Sequence, residues 1–142
     1  MTRLTVEDRL DLHELIARSS QAIDFSDPDA YAAVFASDGV LVGEESPRRG
    51  GAIKYRLAGH DELRKFAADA AAKRQGRGRH WINSTVLSKE GDGASGISYL
   101  FFLTIDPDTA GCDIMVPAVH HDRYVKTDEG WKIAERIVRY DG

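Results

Sequence analysis

The sequence has little of what several classes of protein require. Its 142 residues include one cysteine, Cys112, so neither an internal disulfide nor a cysteine-based metal site can form. The formal net charge of −4 gives no electrostatic reason to expect binding to nucleic acid or to an anionic membrane. No apolar run approaches the roughly 20 residues that span a bilayer, and the first segment does not read as a leader. We therefore expect a soluble, cytoplasmic protein.

The chain also lacks the glycine-rich loop that holds a phosphate, because Gly91-Asp92-Gly93 lies in a turn that no predicted helix follows. It shows no internal repeat and no low-complexity segment. What is present is 42% apolar and 30% charged residues, a composition typical of a globular fold. This length and composition predict one domain over residues 1–142.

Helical patterns dominate the first half of the chain. Thr5 and Asp8 resemble a capping box, and apolar residues then recur at helical spacing, which predicts a helix from about Val6 to about Asp24. Asp27-Pro28 is a helix-start signal. The second helix is expected to turn three side chains inward and to stop at Asp38-Gly39; these side chains are Tyr31, Val34 and Phe35. A third helix is expected to begin after Gly59-His60-Asp61 and to end near Gly76.

Strand patterns dominate the second half. Two short strands are predicted first, at Val40-Leu41-Val42 and at residues 53–57, where Ile53, Tyr55 and Leu57 share one face. Four long strand candidates follow at residues 81–88, 94–105, 114–126 and 131–140, separated by turn-rich segments. Helices followed by a meander of long strands predict an α+β fold, with helices packed on the concave face of an antiparallel sheet.

Several motifs carry a resemblance over nearly the whole chain. Asp-Pro is followed by Tyr, Phe and Asp-Gly between residues 27 and 39, Gly-His-Asp-Glu-Leu begins at residue 59, Arg-His-x-x-Asn begins at residue 79, and Asp-Glu-Gly-Trp-Lys-Ile begins at residue 128. This order resembles the SnoaL-like branch of the nuclear transport factor 2-like (NTF2-like) superfamily. The resemblance implies a curved antiparallel or mixed sheet that N-terminal helices wrap into a cone with an internal apolar pocket, a cystatin-like α+β barrel.

Asp24 and His80 are the candidate catalytic residues. From the residues alone, Asp24 could lie in water at the end of its helix, or could bind the backbone at Phe25-Ser26 in a turn. His80 could lie at the mouth of a solvated basic loop that contains Lys73, Arg74, Arg77 and Arg79. His80 shares strand parity with Ile82, Ser84 and Val86, so it faces a cavity if that side is inward. The resemblance favours a pair, because the scytalone dehydratases and hexachlorocyclohexane dehydrochlorinases of this superfamily have an Asp at this place paired with a strand His. It implies that Asp24 orients His80 and that His80 transfers a proton.

Other side chains could bind a substrate. Tyr31 and Tyr55 could donate a hydrogen bond to a substrate carbonyl, or could be ordinary core tyrosines. His120 faces the cavity if Tyr124 points inward, and Phe101 is a candidate for the apolar lining. His120 and the adjacent His121 cannot chelate one ion from neighbouring strand positions, so we expect no metal and no cofactor. An aromatic and aliphatic lining, either of the cavity or of a subunit interface, is expected from Trp81, Phe101, Phe102, Met115 and Val119.

Residues 99–103 are apolar on both faces of their strand. In a domain of this size, that pattern predicts helices on one face and a second subunit on the other, so we expect a homo-oligomer, either a dimer or a trimer. Asn83 has the opposite parity to His80 and is assigned to that other face.

Three functional hypotheses follow. The first is a cofactor-free lyase or isomerase of dehydratase type, acting on a small, apolar, cyclic substrate with an activated C–H beside a carbonyl. The second is a non-catalytic ligand-binding or assembly module, as in the small subunits of ring-hydroxylating dioxygenases, which share the resemblance. The third is ketosteroid-isomerase-like chemistry, which needs a second buried acid that the sequence does not identify.

Overall fold

A computed structural model describes residues 3–142. Its three α-helices are α1 (Val6–Asp24), α2 (Pro28–Ala33) and α3 (His60–Arg74). Its six strands are β1 (Phe35–Glu44), β2 (Ile53–Ala58), β3 (Gly78–Glu90), β4 (Gly93–Ile105), β5 (Cys112–Thr127) and β6 (Gly130–Tyr140). The predicted first and third helices and the four long strands are confirmed. None of the helices in the described chain combines the length and hydropathy that crossing a bilayer requires.

Local signals explain where α1 begins. The Thr5 hydroxyl accepts a hydrogen bond from the Asp8 N–H at 3.0 Å, and the Asp8 carboxylate accepts one from the Thr5 N–H at 3.2 Å, so the capping box forms. A buried stripe that includes Leu12, Ile16 and Ile23 packs α1 against the sheet. The helix therefore carries its last residue, Asp24, to the edge of the sheet where β3 begins.

The six strands form one mixed sheet in the order β2-β1-β6-β5-β4-β3. β1 and β6 are parallel, and the other neighbours are antiparallel. Each strand pair contains one register shift, and such bulges bend a sheet and increase its twist. The sheet is curved but not closed, and all three helices contact it. The predicted α+β class is confirmed, although the sheet remains open rather than forming a complete barrel.

The second helix is shorter than the sequence predicts. It ends at Ala33, and Phe35 opens β1 instead of closing the helix. The Ile133 N–H donates a hydrogen bond to the Val34 carbonyl at 2.9 Å, and Phe35 pairs with Ile133. Pairing with a strand nearly 100 residues later thus overrides the local helical pattern. Phe35 is nevertheless buried, so the predicted inward orientation of its side chain is correct.

Strand β3 changes face in its middle. Ser84 has a φ of 52°, and the pairing with β4 shifts register between Asn83 and Val86. As a result Val86 is 69% exposed while Leu87 is buried. The prediction that Ser84 and Val86 share the face of His80 is therefore wrong, because a bulge reverses the alternation after Asn83.

The side of β3 and β4 opposite to His80 and Phe102 carries a largely apolar surface that we call the outer apolar face, with Trp81, Val86, Ile97 and Tyr99 exposed. Three cross-strand pairs build it: Trp81 opposite Phe101, Asn83 opposite Tyr99, and Val86 opposite Ile97. The rings of Trp81 and Phe101 stack with their centroids 6.3 Å apart, and Trp81 is 57% exposed. Ile53, which was predicted to share a face with Tyr55 and Leu57, is exposed near the start of β2.

Candidate active site

The structure brings Asp24 and His80 together, although 56 residues separate them in the chain. His80 Nδ1 lies 2.6 Å from Asp24 Oδ1, and the backbone N–H of His80 donates to Asp24 Oδ2 at 2.8 Å. A carboxylate only accepts hydrogen bonds, so Nδ1 donates and Nε2 is the ring nitrogen left for a substrate. The two bonds fix both the position and the tautomer of the imidazole.

The contacts of Asp24 offset the cost of burying its carboxylate. Asp24 is the last residue of α1, where the helix dipole disfavours a negative charge, and its side chain is only 5% exposed. The two hydrogen bonds from His80 offset that burial, because a buried charge needs a partner for each of its oxygens. The ring of His80 also lies against Phe102, with the centroids 4.8 Å apart. Phe102 in turn occupies the space that a Cβ at Gly78 would need, so glycine at that position admits the ring.

His80 lines a cavity of about 110 Å³ between the helices and the sheet, which we call the inner cavity. Its wall combines apolar side chains with several hydroxyl, imidazole and guanidinium groups. The lining residues are Ser19, Ser20, Ile23, Tyr31, Leu41, Tyr55, Phe66, Arg74, His80, Ile82, Leu100, Phe102, Val116, His120, Arg136, Val138 and Tyr140.

Two tyrosines predicted to contact a substrate line this cavity. Tyr55 Oη lies 3.0 Å from Tyr140 Oη, and the ring of Tyr55 fills the space that a side chain at Gly43 would need. Burial, followed by the hydrogen bond to Tyr140, raises the pKa of Tyr55. Burial raises the pKa of Tyr31 to about 12. Both phenols therefore keep their protons at neutral pH and can donate a hydrogen bond.

His120 also lines the inner cavity, as its shared parity with the buried Tyr124 predicts. Its Nδ1 is buried and has no hydrogen-bond partner among residues 3–142. Burial, and then the positive charge of Arg136, lowers the pKa of His120 well below its usual value. The imidazole is therefore neutral at pH 7, with a lone pair or an N–H free to meet a ligand.

This shifted pKa predicts a pH-dependent stability. Between the lowered folded pKa and about pH 6.5, the unfolded chain binds a proton at His120 that the folded chain does not. The free energy of unfolding should therefore fall as the pH drops below about 6.5, by up to about 1.4 kcal/mol per pH unit from this residue. Urea unfolding at a series of pH values between 7.5 and 5 measures the slope.

The matched variants are His120→Gln and His13→Gln, the latter at an exposed position on α1. We expect His120→Gln to flatten the slope and His13→Gln to leave it unchanged. Some slope should remain, because burial also lowers the pKa of His121. Equal slopes for His120→Gln and the wild type would contradict the assignment.

One predicted substrate-binding residue does not lie at the site. Phe101 belongs to the outer apolar face, where it stacks on Trp81. Its neighbour Phe102 lines the cavity instead. Adjacent strand residues point to opposite sides, and both positions are apolar, so the residue type did not distinguish them. Trp81 and Met115, predicted to line either the cavity or a subunit interface, are exposed and do not line the inner cavity.

Sequence reasoning missed a buried ion pair beside the cavity. Arg136 donates to both oxygens of Asp122, from Nε at 2.9 Å and from Nη2 at 2.7 Å, and donates from Nη1 to Ser19 Oγ at 2.9 Å. Tyr124 also donates to Asp122, at 2.8 Å. Burial opposes the charge of Arg136, but the charge of Asp122 and its hydrogen bonds outweigh that effect and raise the pKa of Arg136.

The alternation of side chains along β5 could have predicted that Asp122 is buried. His120, Asp122 and Tyr124 occupy every second position of β5, so the parity that placed His120 inward also places Asp122 inward. Asp122 is the second buried acid that ketosteroid-isomerase-like chemistry would need. It does not line the inner cavity, however, and Arg136 occupies both of its oxygens.

No group of three or more His, Cys, Asp or Glu side chains is placed to hold a metal ion within residues 3–142. His120 and His121 point to opposite sides of β5, as adjacent strand residues do.

Comparison with known proteins places the chain in a family. The family described as the SnoaL-like domain matches residues 4–137. No curated protein matches the sequence. A Mycobacterium tuberculosis protein of unknown function is 29% identical, with a TM-score of 0.78 over 95% of this chain and 72% of that one.

Two further solved structures share the architecture. A Nostoc punctiforme protein of unknown function with a cystatin-like fold is 27% identical, with a TM-score of 0.78 over 97% of this chain and 94% of that one. A Novosphingobium aromaticivorans protein provisionally named a scytalone dehydratase is 18% identical, with a TM-score of 0.74 over 96% and 88% of the two chains, which shows a shared fold. The match over residues 4–137, most of the chain, shows that the chain belongs to the SnoaL-like domain family.

Proposed function

We propose that this protein is a cofactor-free lyase or isomerase of dehydratase type, acting on a small cyclic substrate with an activated C–H beside a carbonyl. The observation that carries the proposal is the two-point contact between Asp24 and His80 in the wall of the inner cavity. A carboxylate that fixes an imidazole in a sheltered site is a device for proton transfer near neutral pH.

In this proposal, His80 acts as both base and acid. Nε2 removes the proton from the carbon beside the carbonyl, and the electron pair of the broken C–H bond moves to the carbonyl oxygen as an enolate. When the enolate collapses, the C–O bond to a β-hydroxyl breaks, and the leaving oxygen takes the proton back from Nε2. The products are an unsaturated ketone and water. Asp24 stabilises the imidazolium that forms between the two steps.

Tyr55 or Tyr31 would hold the substrate oxygen. Both are protonated phenols in the cavity wall, and a donor aimed at the developing enolate is worth more in a site shielded from water than in solution. The inner cavity measures about 110 Å³. An apolar cavity of about 150 Å³ accommodates benzene, so the enclosed part of the site suits one ring at most.

The test is incubation of the protein with a panel of β-hydroxylated cyclic ketones in deuterated water. Mass spectrometry reports water loss, and NMR reports exchange of deuterium at the carbon beside the carbonyl. Elimination or exchange faster than in buffer supports the proposal. The proposal would be contradicted if panel members bind to the protein but none of them undergoes either elimination or exchange.

The alternative is a non-catalytic ligand-binding or assembly module. The outer apolar face favours this candidate, because a chain that supports a partner needs such a surface and needs no acid-base pair. If this alternative is correct, the protein binds ligands or assembles with a partner chain. The incubation with cyclic ketones then shows neither water loss nor deuterium exchange.

We propose that a second copy of the chain covers the outer apolar face. Stacked aromatic side chains exposed on a sheet are typical of a surface buried by association. We expect the wild type to sediment as a dimer, or as a trimer, at micromolar concentration, and Trp81→Glu to sediment as a monomer. Ile53→Glu is the control, because Ile53 is an exposed apolar residue outside this face. A wild-type monomer would contradict the proposal.

A further inference from the structure

A second depression adjoins the inner cavity, and we call it the basic cleft. It measures about 570 Å³ and opens between α3 and the ends of β4 and β5. Its lining residues are Phe66, Asp69, Ala70, Lys73, Arg74, Arg77, Phe102, Thr104, Ile105, Met115 and Val116. Four of these residues, Phe66, Arg74, Phe102 and Val116, also line the inner cavity. The basic cleft is therefore the outer part of the same site.

Among residues 3–142, the guanidinium of Arg74 at this junction has neither a hydrogen-bond partner for its Nη1 nor an ion-pair partner. Its Nη1 is buried and makes no hydrogen bond to any residue from 3 to 142. No salt bridge among these residues includes Arg74. The charge of Asp24 acts on Arg74, but both oxygens of Asp24 already accept hydrogen bonds from His80. A guanidinium held in this way lacks the acceptor that a buried donor normally has.

The packing of Arg74 holds it in place beside the candidate catalytic pair. Its guanidinium carbon lies 4.2 Å from the centre of the Phe102 ring, and the ring of His80 lies 4.8 Å from the same centre. Burial lowers the pKa of Arg74, but arginine remains charged at neutral pH. The positive charge is thus fixed next to the place where His80 would meet a substrate.

The charge around the cleft has the sign opposite to that of the whole chain. Lys73, Arg74 and Arg77 line it, and Asp69 is its one acidic lining residue. Lys65 already binds Asp69 at 2.7 Å. The chain as a whole carries a net charge of −4, so this is a local positive region on an acidic protein. Such a region attracts small anions and raises their rate of entry.

We propose that Arg74 selects the substrate by binding an anionic oxygen, a carboxylate or a phenolate, on a cyclic molecule whose reacting carbon lies at His80. This inference rests on the proposed function and narrows its substrate class to organic anions. The ring occupies the inner cavity, the anionic oxygen receives the free Nη1 donor of Arg74, and any further substituent extends into the basic cleft. The fork of the guanidinium suits two oxygens, as in a carboxylate.

Binding of simple probes tests the inference without requiring turnover. Benzoate is compared with the neutral benzamide, and 4-nitrophenolate with the neutral 4-nitroanisole, by NMR titration or calorimetry. We expect the wild type to prefer the anion of at least one pair by about tenfold or more, because a hydrogen bond to a charged group is stronger than one between neutral groups. The pair that shows the preference identifies the anionic group. No preference in either pair, or no binding of either anion, would overturn the inference.

Variants identify the residue responsible. Arg74→Met should lose the preference for the anion, whereas Arg74→Lys keeps the charge and should retain part of it. Arg64→Met is the matched control, because it removes the same charge from the same helix at a half-exposed position outside both depressions. If Arg74→Met does not fold, the preference for the anion over the neutral analogue is compared between Arg74→Lys and the wild type. An unchanged preference in Arg74→Lys would then overturn the inference. Unchanged anion binding in a folded Arg74→Met protein would overturn the inference.

The two proposals fail in different ways. A chain that prefers benzoate through Arg74 but catalyses neither elimination nor exchange refutes the proposed function and leaves the anion site standing. A chain that eliminates water from neutral ketones and binds both members of each pair equally refutes the anion site and leaves the proposed function standing.

Discussion

Replacing His80 with glutamine is expected to lower the rate of elimination or exchange by about 10²- to 10⁴-fold, the contribution that general acid-base catalysis usually makes. Glutamine keeps a polar side chain of similar length but cannot shuttle a proton at neutral pH. The measurement is kcat/KM in the assay with cyclic ketones in deuterated water. His13→Gln, the same substitution at an exposed position of α1, should keep the wild-type rate.

Asp24→Asn separates orientation from proton transfer. Asparagine still offers one oxygen for the N–H of His80, but its amide cannot stabilise an imidazolium, so the rate should again fall strongly. Because the two residues would act as a unit, the double variant should be little slower than His80→Gln alone. Urea unfolding of each variant shows whether the fold survives. A folded His80→Gln protein with the wild-type rate would refute the catalytic proposal.

The second large effect is on stability. Replacing Asp122 with alanine is expected to lower the free energy of unfolding by about 3–5 kcal/mol, because it leaves the buried charge of Arg136 without its partner. Asp122 and Arg136 are each only 3% exposed. The loss also removes the acceptor of the Tyr124 hydroxyl. Urea unfolding measures the difference.

Two comparisons test the reason for that loss. The double variant Asp122→Leu with Arg136→Met removes both charges and should recover much of the lost stability, since apolar replacements of a buried ion pair are often neutral or favourable. Asp69→Ala removes an exposed ion-pair partner of Lys65 and should change stability by less than about 1 kcal/mol. If Asp122→Ala were no more damaging than Asp69→Ala, the buried pair would not stabilise the fold as we argue.

Much of the architecture was predictable because its signals are local. The capping box at Thr5 and Asp8 sets the start of α1, and alternation marks the long strands. The end of α2 was not predictable in this way. Residues 34–39 have no local signal that outweighs the helical pattern, and only β6, from the far end of the chain, supplies the strand that turns Phe35 into the first residue of β1.

The candidate site was likewise predictable only in part. The family resemblance indicated proton transfer by Asp24 and His80. The residue types at Tyr31, Tyr55 and His120 allowed contacts with a substrate, and all five residues lie at or beside the inner cavity. The roles of these residues stay predictions until the assays are done. Arg74 was read from the sequence as part of a solvated basic loop, because nothing near it in the chain shows that Phe102 and the inner cavity will enclose its guanidinium.

The sequence by itself determined the order and type of nearly all elements, since hydrogen bonding and side-chain alternation within an element depend on residues a few positions apart. Tertiary structure alone decided which side chains meet. The contact between Asp24 and His80 spans 56 residues, and the choice of Phe102 over Phe101 depends on which side of the sheet the helices cover. The bulge at Ser84 reverses the faces of β3. These outcomes depend on strand register and packing between distant segments, and a shift of one residue moves every later side chain to the opposite face.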